Sequence, residues 1–142
     1  MTEAQAIAGY EIDADKSRLD LDLIHGFLAG AYWSEGVPAE IVRKSIQQSD
    51  CFGIYTSGRQ VGFARVISDH ASFAYIADVF VIPEERGRGL GQWLVATILQ
   101  SPQYPNLRRW LLATKDAHEL YRPFGFTESP PGRFMEIRNT YR

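Results

Sequence analysis

Ala77-Asp78-Val79-Phe80-Val81-Ile82-Pro83-Glu84-Glu85-Arg86-Gly87-Arg88-Gly89-Leu90-Gly91-Gln92 changes character twice. It begins inside a nearly all-apolar run, Phe73 to Val81, of the kind shown by strands buried on both faces. Pro83 stops that strand, because proline brings no N–H to a ladder. Gly87, Gly89 and Gly91 then alternate, with Arg86 and Arg88 among them. Leu90, Trp93, Leu94, Ala96, Ile98 and Leu99 follow at helical spacing, and Ser101-Pro102 closes the helix. A helix start offers unpaired N–H groups and the positive end of a dipole, which together favour a phosphate. Glycine lets the backbone approach phosphate oxygens, and the two arginines add charge and donors. The junction from Asp78 to Gln92 therefore reads as a binding site as well as a connection.

Toward the N-terminus, Cys51–Thr56 and Gln60–Ser68 are β-like runs joined by Ser57-Gly58, a hairpin signature. Ser34 and Pro38 bracket a helix start whose apolar face is Ile41, Val42 and Ile46, ending near Gln48. Leu19 to Ala31 has mostly helical spacing, and Tyr10–Asp13 alternates as a short first strand. Toward the C-terminus, Trp110–Ala113 reads as a strand. Asp116 reads as the cap of a helix running to about Arg122, which Pro123 and Gly125 end. Met135–Asn139 reads as a final edge strand. The order β-α-α-β-β-β-α-β-α-β specifies a mixed α/β fold, taken as one domain over residues 1–142.

Fifteen basic and seventeen acidic residues give a net charge of −2, without the basic excess of a nucleic-acid binder. The hydrophobic content of 45% supplies a core. The single cysteine, Cys51, lies in an apolar run and reads as a buried inert thiol; no disulfide framework or cysteine metal cluster is expected. No run approaches the ~18 apolar residues of a membrane span, and the start lacks a signal-peptide pattern. A cytoplasmic protein without membrane or nucleic-acid partners is expected. Dimerisation is common in domains of this size, so a homodimer stays open.

Two well-known phosphate motifs do not fit the glycine turn. A Walker loop needs Lys-Ser or Lys-Thr after its second glycine, where this chain has Gln92-Trp93 after Gly91. A dinucleotide fingerprint needs Gly-x-Gly-x-x-Gly, and Gly87, Gly89 and Gly91 are spaced otherwise. The pattern Arg86-x-x-Gly89-x-Gly91 instead resembles that of GNAT acetyltransferases: Arg or Gln, two variable residues, Gly, one variable residue, then Gly or Ala. Ala117-His118-Glu119-Leu120-Tyr121-Arg122-Pro123-Phe124-Gly125-Phe126 resembles the second element of that family, in the family's order and separation.

The resemblance implies a GNAT-like domain, its mixed central sheet splayed at a bulge in the fourth strand and flanked by helices. It implies acetyl-coenzyme A as co-substrate. The Val79 N–H would bond the acetyl carbonyl, and the Val81 backbone would hold the pantetheine arm in strand-like fashion. The N–H groups of Gly87, Arg88, Gly89, Leu90, Gly91 and Gln92, with the Arg86 and Arg88 side chains, would hold the pyrophosphate. Tyr121 matches the tyrosine that protonates the departing thiolate. Thr114 stands where many members have an Asn that bonds the coenzyme arm, and Tyr75 where some place a glutamate base.

An amine must lose a proton before it attacks, so a base or a water chain is still needed. An acid within an apolar strand is expensive unless paired or used, which singles out Asp78. Two readings are open for it: a catalytic group that binds or relays from a cationic amine, or a structural partner of an arginine. His118 reads as a solvated helix residue. In this fold the acceptor enters beneath the loop between the first two helices, here Tyr32-Trp33-Ser34-Glu35. Tyr32 and Trp33 supply an aromatic wall, or staple the helices as core, and Glu35 an attraction for positive charge. The expected activity is transfer of acetyl to a primary amine of a small molecule by direct attack. A non-catalytic acyl-coenzyme A sensor and a protein or peptide N-acetyltransferase are the alternatives.

Overall fold

Strands β1 (Glu11–Asp13), β2 (Asp50–Thr56), β3 (Arg59–Ser68), β4 (Phe73–Val81) and β5 (Arg109–Leu112) lie side by side in chain order in one sheet. The computed structural model describes residues 6–141. The first four strands pair antiparallel; β5 runs parallel to β4, after the crossover helix α3 (Leu90–Leu99). Helices α1 (Leu21–Gly30) and α2 (Ala39–Gln47) separate β1 from β2, and a single-turn helix α4 (His118–Tyr121) follows β5. The α3 helix packs on β2 and β4, and α2 on β2. The fully buried side chains Phe63, Ile24, Ile54, Leu90, Leu94 and Ile98 fill the space between.

The β2–β3 hairpin turns at Ser57 and Gly58, with φ of 50° and 75°. Left-handed values at both central residues match the twist of the flanking strands. Further along, Phe63 opposes Phe80 and Arg65 opposes Ala77, so Ala64 alone faces both Asp78 and Val79. The extra residue on β4 is accommodated by Asp78 at φ 57°, a conformation tolerated better by Asp than by most side chains. The ladder between β4 and β5 ends at Ile76 and Leu112. Past that point β4 has no strand neighbour on its β5 side among the described residues. Its backbone up to Val81 borders a gap.

Two local expectations are corrected. Residues 135–139 join no strand. Met135 and Ile137 are 98% and 94% exposed, so no second layer buries the apolar face that alternation offers. Asp116 does not cap the last helix either. Ala117 takes that position, and its N–H goes to Thr114 Oγ1 at 2.9 Å. The helix continues as a tight turn, Arg122–Phe124, and ends at Gly125 with φ 97°. Among the described residues no helix is long and apolar enough to cross a membrane.

Candidate active site

Pro83 and the two glutamates after it form a tight turn, and Gly89 then caps α3 at φ 83°. Only glycine takes that conformation without strain, and it starts α3 with first N–H groups that have no partner within the helix. The two arginines brace this turn unequally. Arg86 donates from Nε to the Val81 carbonyl at 3.0 Å, tying the turn back to its strand. Arg88 pairs through Nε with buried Glu85 at 3.2 Å, and Arg59 meets the other oxygen of Glu85 at 3.1 Å. Tyr10 donates its hydroxyl to Glu85 as well. That hydrogen bond, seconded by the charges of Arg88 and Arg59, holds the Glu85 carboxyl below its ordinary value.

Two cavities meet beneath this turn. One, of about 440 Å³, runs along the glycines and the open side of β4, past Val81, Arg86, Gly87, Gly89, Leu90 and Gly91. The other, of about 400 Å³, is bordered by Arg65, Tyr75, Asp78, Thr114, Arg138 and Tyr141. Tyr32, Trp33, Val79, Asp116, Ala117 and Tyr121 line both, so the junction is enclosed by those six residues. Burial, assisted by the neighbouring Tyr32, pushes the Tyr121 hydroxyl up to about 12, so it carries its proton at neutral pH.

The aromatic loop is held from both sides. Trp33 donates its indole N–H to Asp78 Oδ1 at 2.9 Å, and Arg65 donates from Nε to Asp78 Oδ2 at 2.9 Å. The ion pair is largely out of water, with side chains 17% and 12% exposed. Tyr32 accepts the backbone N–H of Lys115 at 3.0 Å, and the Lys115 ammonium lies 5.3 Å from its ring centroid. Phe27 stacks on Phe80 behind them at 4.0 Å.

A protein-family model for the acetyltransferase (GNAT) domain matches residues 47–128, more than half of the chain. The chain belongs to the GNAT acetyltransferase family. A crystal structure from Xanthomonas campestris pv. campestris, assigned to the GNAT family, is 44% identical to this GNAT chain, with 94% of one chain covered, 96% of the other, and a TM-score of 0.89. A Gibberella zeae protein named as an acetyltransferase is 29% identical over 79% of this chain and 75% of its own length. A Clostridium acetobutylicum acetyltransferase solved with acetyl-CoA has the same fold at 13% identity, covering 91% and 94% of the two chains with a TM-score of 0.66.

The residues singled out from sequence are thus brought together with few exceptions. Val79, Val81, Arg86, Gly87, Gly89, Leu90 and Gly91 line the turn cavity of this GNAT domain; Tyr75, Asp78 and Thr114 line the other; Tyr32, Trp33 and Tyr121 line both. Three residues stand apart. The Arg88 side chain is taken up by Glu85, and Gln92 is exposed outside both cavities. Glu35 is exposed and lines neither, because the chain turns back at Gly36, whose N–H reaches Ala29 O at 2.9 Å. Sequence reasoning did not reach Arg65, Arg138 and Tyr141, each of which becomes a neighbour only through tertiary packing. It read Asp116 as a cap, although its place four residues after Leu112, where β5 ends, already put it at a strand's C-terminal end, where α/β sites gather. Cys51 is buried, and burial pushes its thiol up to about 11, which leaves it protonated and inert.

Proposed function

We propose that this protein is a cytoplasmic acetyl-coenzyme A-dependent N-acetyltransferase that acetylates the primary amine of a small molecule by direct attack within a ternary complex. The meeting of the two cavities at Val79 and Tyr121 carries this reading. A donor bound along the glycine turn and an acceptor in the other cavity would reach one another without either leaving its place, so no covalent enzyme intermediate is needed.

On this reading the N–H groups from Gly87 to Leu90, with Arg86, hold the pyrophosphate, and the open side of β4 takes the pantetheine arm as an added strand would. The Val79 N–H polarises the thioester carbonyl. Tyr121 gives its proton to sulfur as the carbon–sulfur bond breaks. It recovers one from the attacking nitrogen, which must shed a proton to become an amide. Thr114, whose hydroxyl already holds the Ala117 N–H, shapes the loop before α4 more than it reaches the coenzyme. Both oxygens of Asp78 are engaged, so its part is to position Trp33 and Arg65 rather than to move a proton. A cavity of about 400 Å³ walled by Tyr32, Trp33 and Tyr75 suits a small acceptor better than a polypeptide.

Thermal unfolding with acetyl-coenzyme A, coenzyme A, NAD and ATP tests the donor half. At a hundred times the dissociation constant a ligand adds ~2.7 kcal/mol, which for this size of domain raises the midpoint by roughly 5–10 °C. A rise with the two coenzyme A species alone is expected. No rise in a demonstrably folded sample would reduce the glycine segment to a turn.

A further inference from the structure

Four charged side chains border the acceptor cavity: Arg65, Asp78, Asp116 and Arg138. Arg65 and Asp78 neutralise one another at 2.9 Å, and Arg138 meets Glu136 at 3.4 Å. On the coenzyme side the charged residues are Glu85, already matched by Arg59 and Arg88, Arg86 and again Asp116. Asp116 takes part in no salt bridge and no side-chain hydrogen bond among the described residues, and it does not cap α4. Two charges are therefore left without an opposite: a cation, Arg86, at the glycine turn and a carboxylate, Asp116, where the two cavities join. The cation suits a diphosphate. The carboxylate belongs to one of the six residues that line both cavities, where on the proposed reading an amine would meet a thioester.

We propose that Asp116 is the catalytic carboxylate of this site: it receives the acceptor as a primary ammonium ion at the cavity junction and takes the proton that the nitrogen must lose before attack. This rests on the reading of the protein as an amine acetyltransferase. It narrows the acceptor to a cationic alkyl or aralkyl amine, as opposed to an alcohol, an anion or an amide. The ammonium transfers one proton to the Asp116 carboxylate, giving a neutral amine and a carboxylic acid. The nitrogen lone pair then forms the bond to the thioester carbon, the carbon–sulfur bond breaks, and Tyr121 supplies the proton that makes the thiol. The nitrogen's second proton returns to the Tyr121 oxygen, leaving a neutral amide and a neutral tyrosine. Because Asp116 is exposed, its acquired proton passes to water, the one proton released per turnover. Asp78 cannot take this part while Trp33 and Arg65 hold its oxygens. Glu35 lies outside both cavities, and His118 faces Glu128 instead, at 4.0 Å.

The test is thiol release from acetyl-coenzyme A with butylamine, phenethylamine and spermidine, comparing wild type, Asp116→Asn and Asp116→Glu from pH 7 to pH 10.5. With the best of the three amines, D116N should lose about 10²–10³-fold in kcat/KM at pH 7. The loss should shrink at least tenfold near pH 10.5, where about half of an alkylamine of pKa ~10.4 is already neutral, against well under a thousandth at pH 7. D116E should stay within about tenfold of wild type, and the thermal shift with coenzyme A should be unchanged in all three proteins. Equal activity of D116N, a loss independent of pH, or a reduced coenzyme A shift in D116N would each overturn the assignment while leaving the acetyltransferase reading in place. Wild type that binds coenzyme A yet releases no thiol with any amine would overturn the amine reading, and the assignment with it.

Discussion

Trp33 Nε1 stands 2.9 Å from Asp78 Oδ1, joining the loop after α1 to the one residue of β4 that has a positive φ. The extra residue in β4 is what turns Asp78 toward that loop, and the indole N–H and Arg65 together satisfy its carboxylate. Trp33→Phe keeps an aromatic ring but removes the N–H donor together with the pyrrole ring that carries it. A hydrogen bond to a charged group contributes ~1.5–3 kcal/mol. Chemical denaturation should show a loss of about 2 kcal/mol, and the acceptor KM should rise while the coenzyme A thermal shift stays as in wild type.

Arg65 and Asp78 form a pair with little solvent around it, so removing one partner strands the other. Arg65→Met alone should destabilise by about 3 kcal/mol, and Asp78→Asn, which keeps an acceptor for Trp33 and tolerates φ 57°, by a similar amount. The double substitution should recover much of that loss, because no charge is then left unmatched. A double-mutant cycle measured by urea unfolding reads the coupling directly, and strictly additive losses would show that the two charges do not depend on each other.

Tyr121→Phe removes one oxygen from a buried ring that packs edge-on against Phe126 at 5.8 Å. Turnover should fall by about 10²–10³-fold with coenzyme affinity unchanged. In wild type, the Tyr121 hydroxyl is pushed up to about 12, so its proton should remain available throughout the pH range in which an amine acceptor is neutralised. A wild-type rate that collapses between pH 8 and pH 9 in the folded protein would contradict Tyr121 as the donor.

Gly89 has φ 83° and begins α3. Gly89→Val forces a β-branched side chain into the left-handed region at the start of α3 and so distorts the turn that lines the cavity. Stability should fall by ~1–3 kcal/mol, and the thermal shift with coenzyme A should vanish. Gly58, also left-handed but lining neither cavity, provides the control: Gly58→Val should cost stability and leave the coenzyme A shift in place.

Tyr55 carries the buried side-chain oxygen that lacks a partner among the described residues, and burial pushes its hydroxyl up to about 12. Tyr55→Phe should stabilise the protein by about 1 kcal/mol at neutral pH, since an unsatisfied buried hydroxyl disappears. The folded-state value lies above the ordinary value of 10.0, so wild type holds its proton more tightly when folded. Wild-type stability from this group is therefore complete below pH 10 and declines between pH 10 and about 12. The advantage of Y55F should widen across that window.

The strand, glycine turn and helix from Phe73 to Leu99 were legible because each is encoded locally: an apolar run, a proline stop, glycines where φ must be positive, and helical spacing after them. Tyr121 was legible for the same reason, as part of a contiguous element with its own pattern. The partners of charged groups were not. Arg88 looks like a phosphate ligand until Glu85 is seen buried beside it, held also by Tyr10 from 75 positions earlier in the chain. Asp78 invites both a catalytic and a structural reading until Arg65 and Trp33 are found on its two oxygens. Met135 and Ile137 show the reverse case: a strand-like alternation with no surface to bury it stays outside the sheet.

Arg138 and Tyr141 border the cavity that we read as the acceptor's, yet the segment that carries them belongs to no ladder. Substitutions there would alter what the cavity admits without touching the glycine turn, the Tyr121 hydroxyl or the buried layer around Phe63 and Leu94. On the proposed reading, Arg138 and Tyr141 are a part of the acceptor wall that lies outside the folding core, whereas Leu28, Val37, Val42 and Ile76 belong to both. Mutation at those two positions, Arg138 and Tyr141, can vary that wall without eroding the core, so a lineage built on this scaffold would have a place near its C-terminal end where change costs little stability.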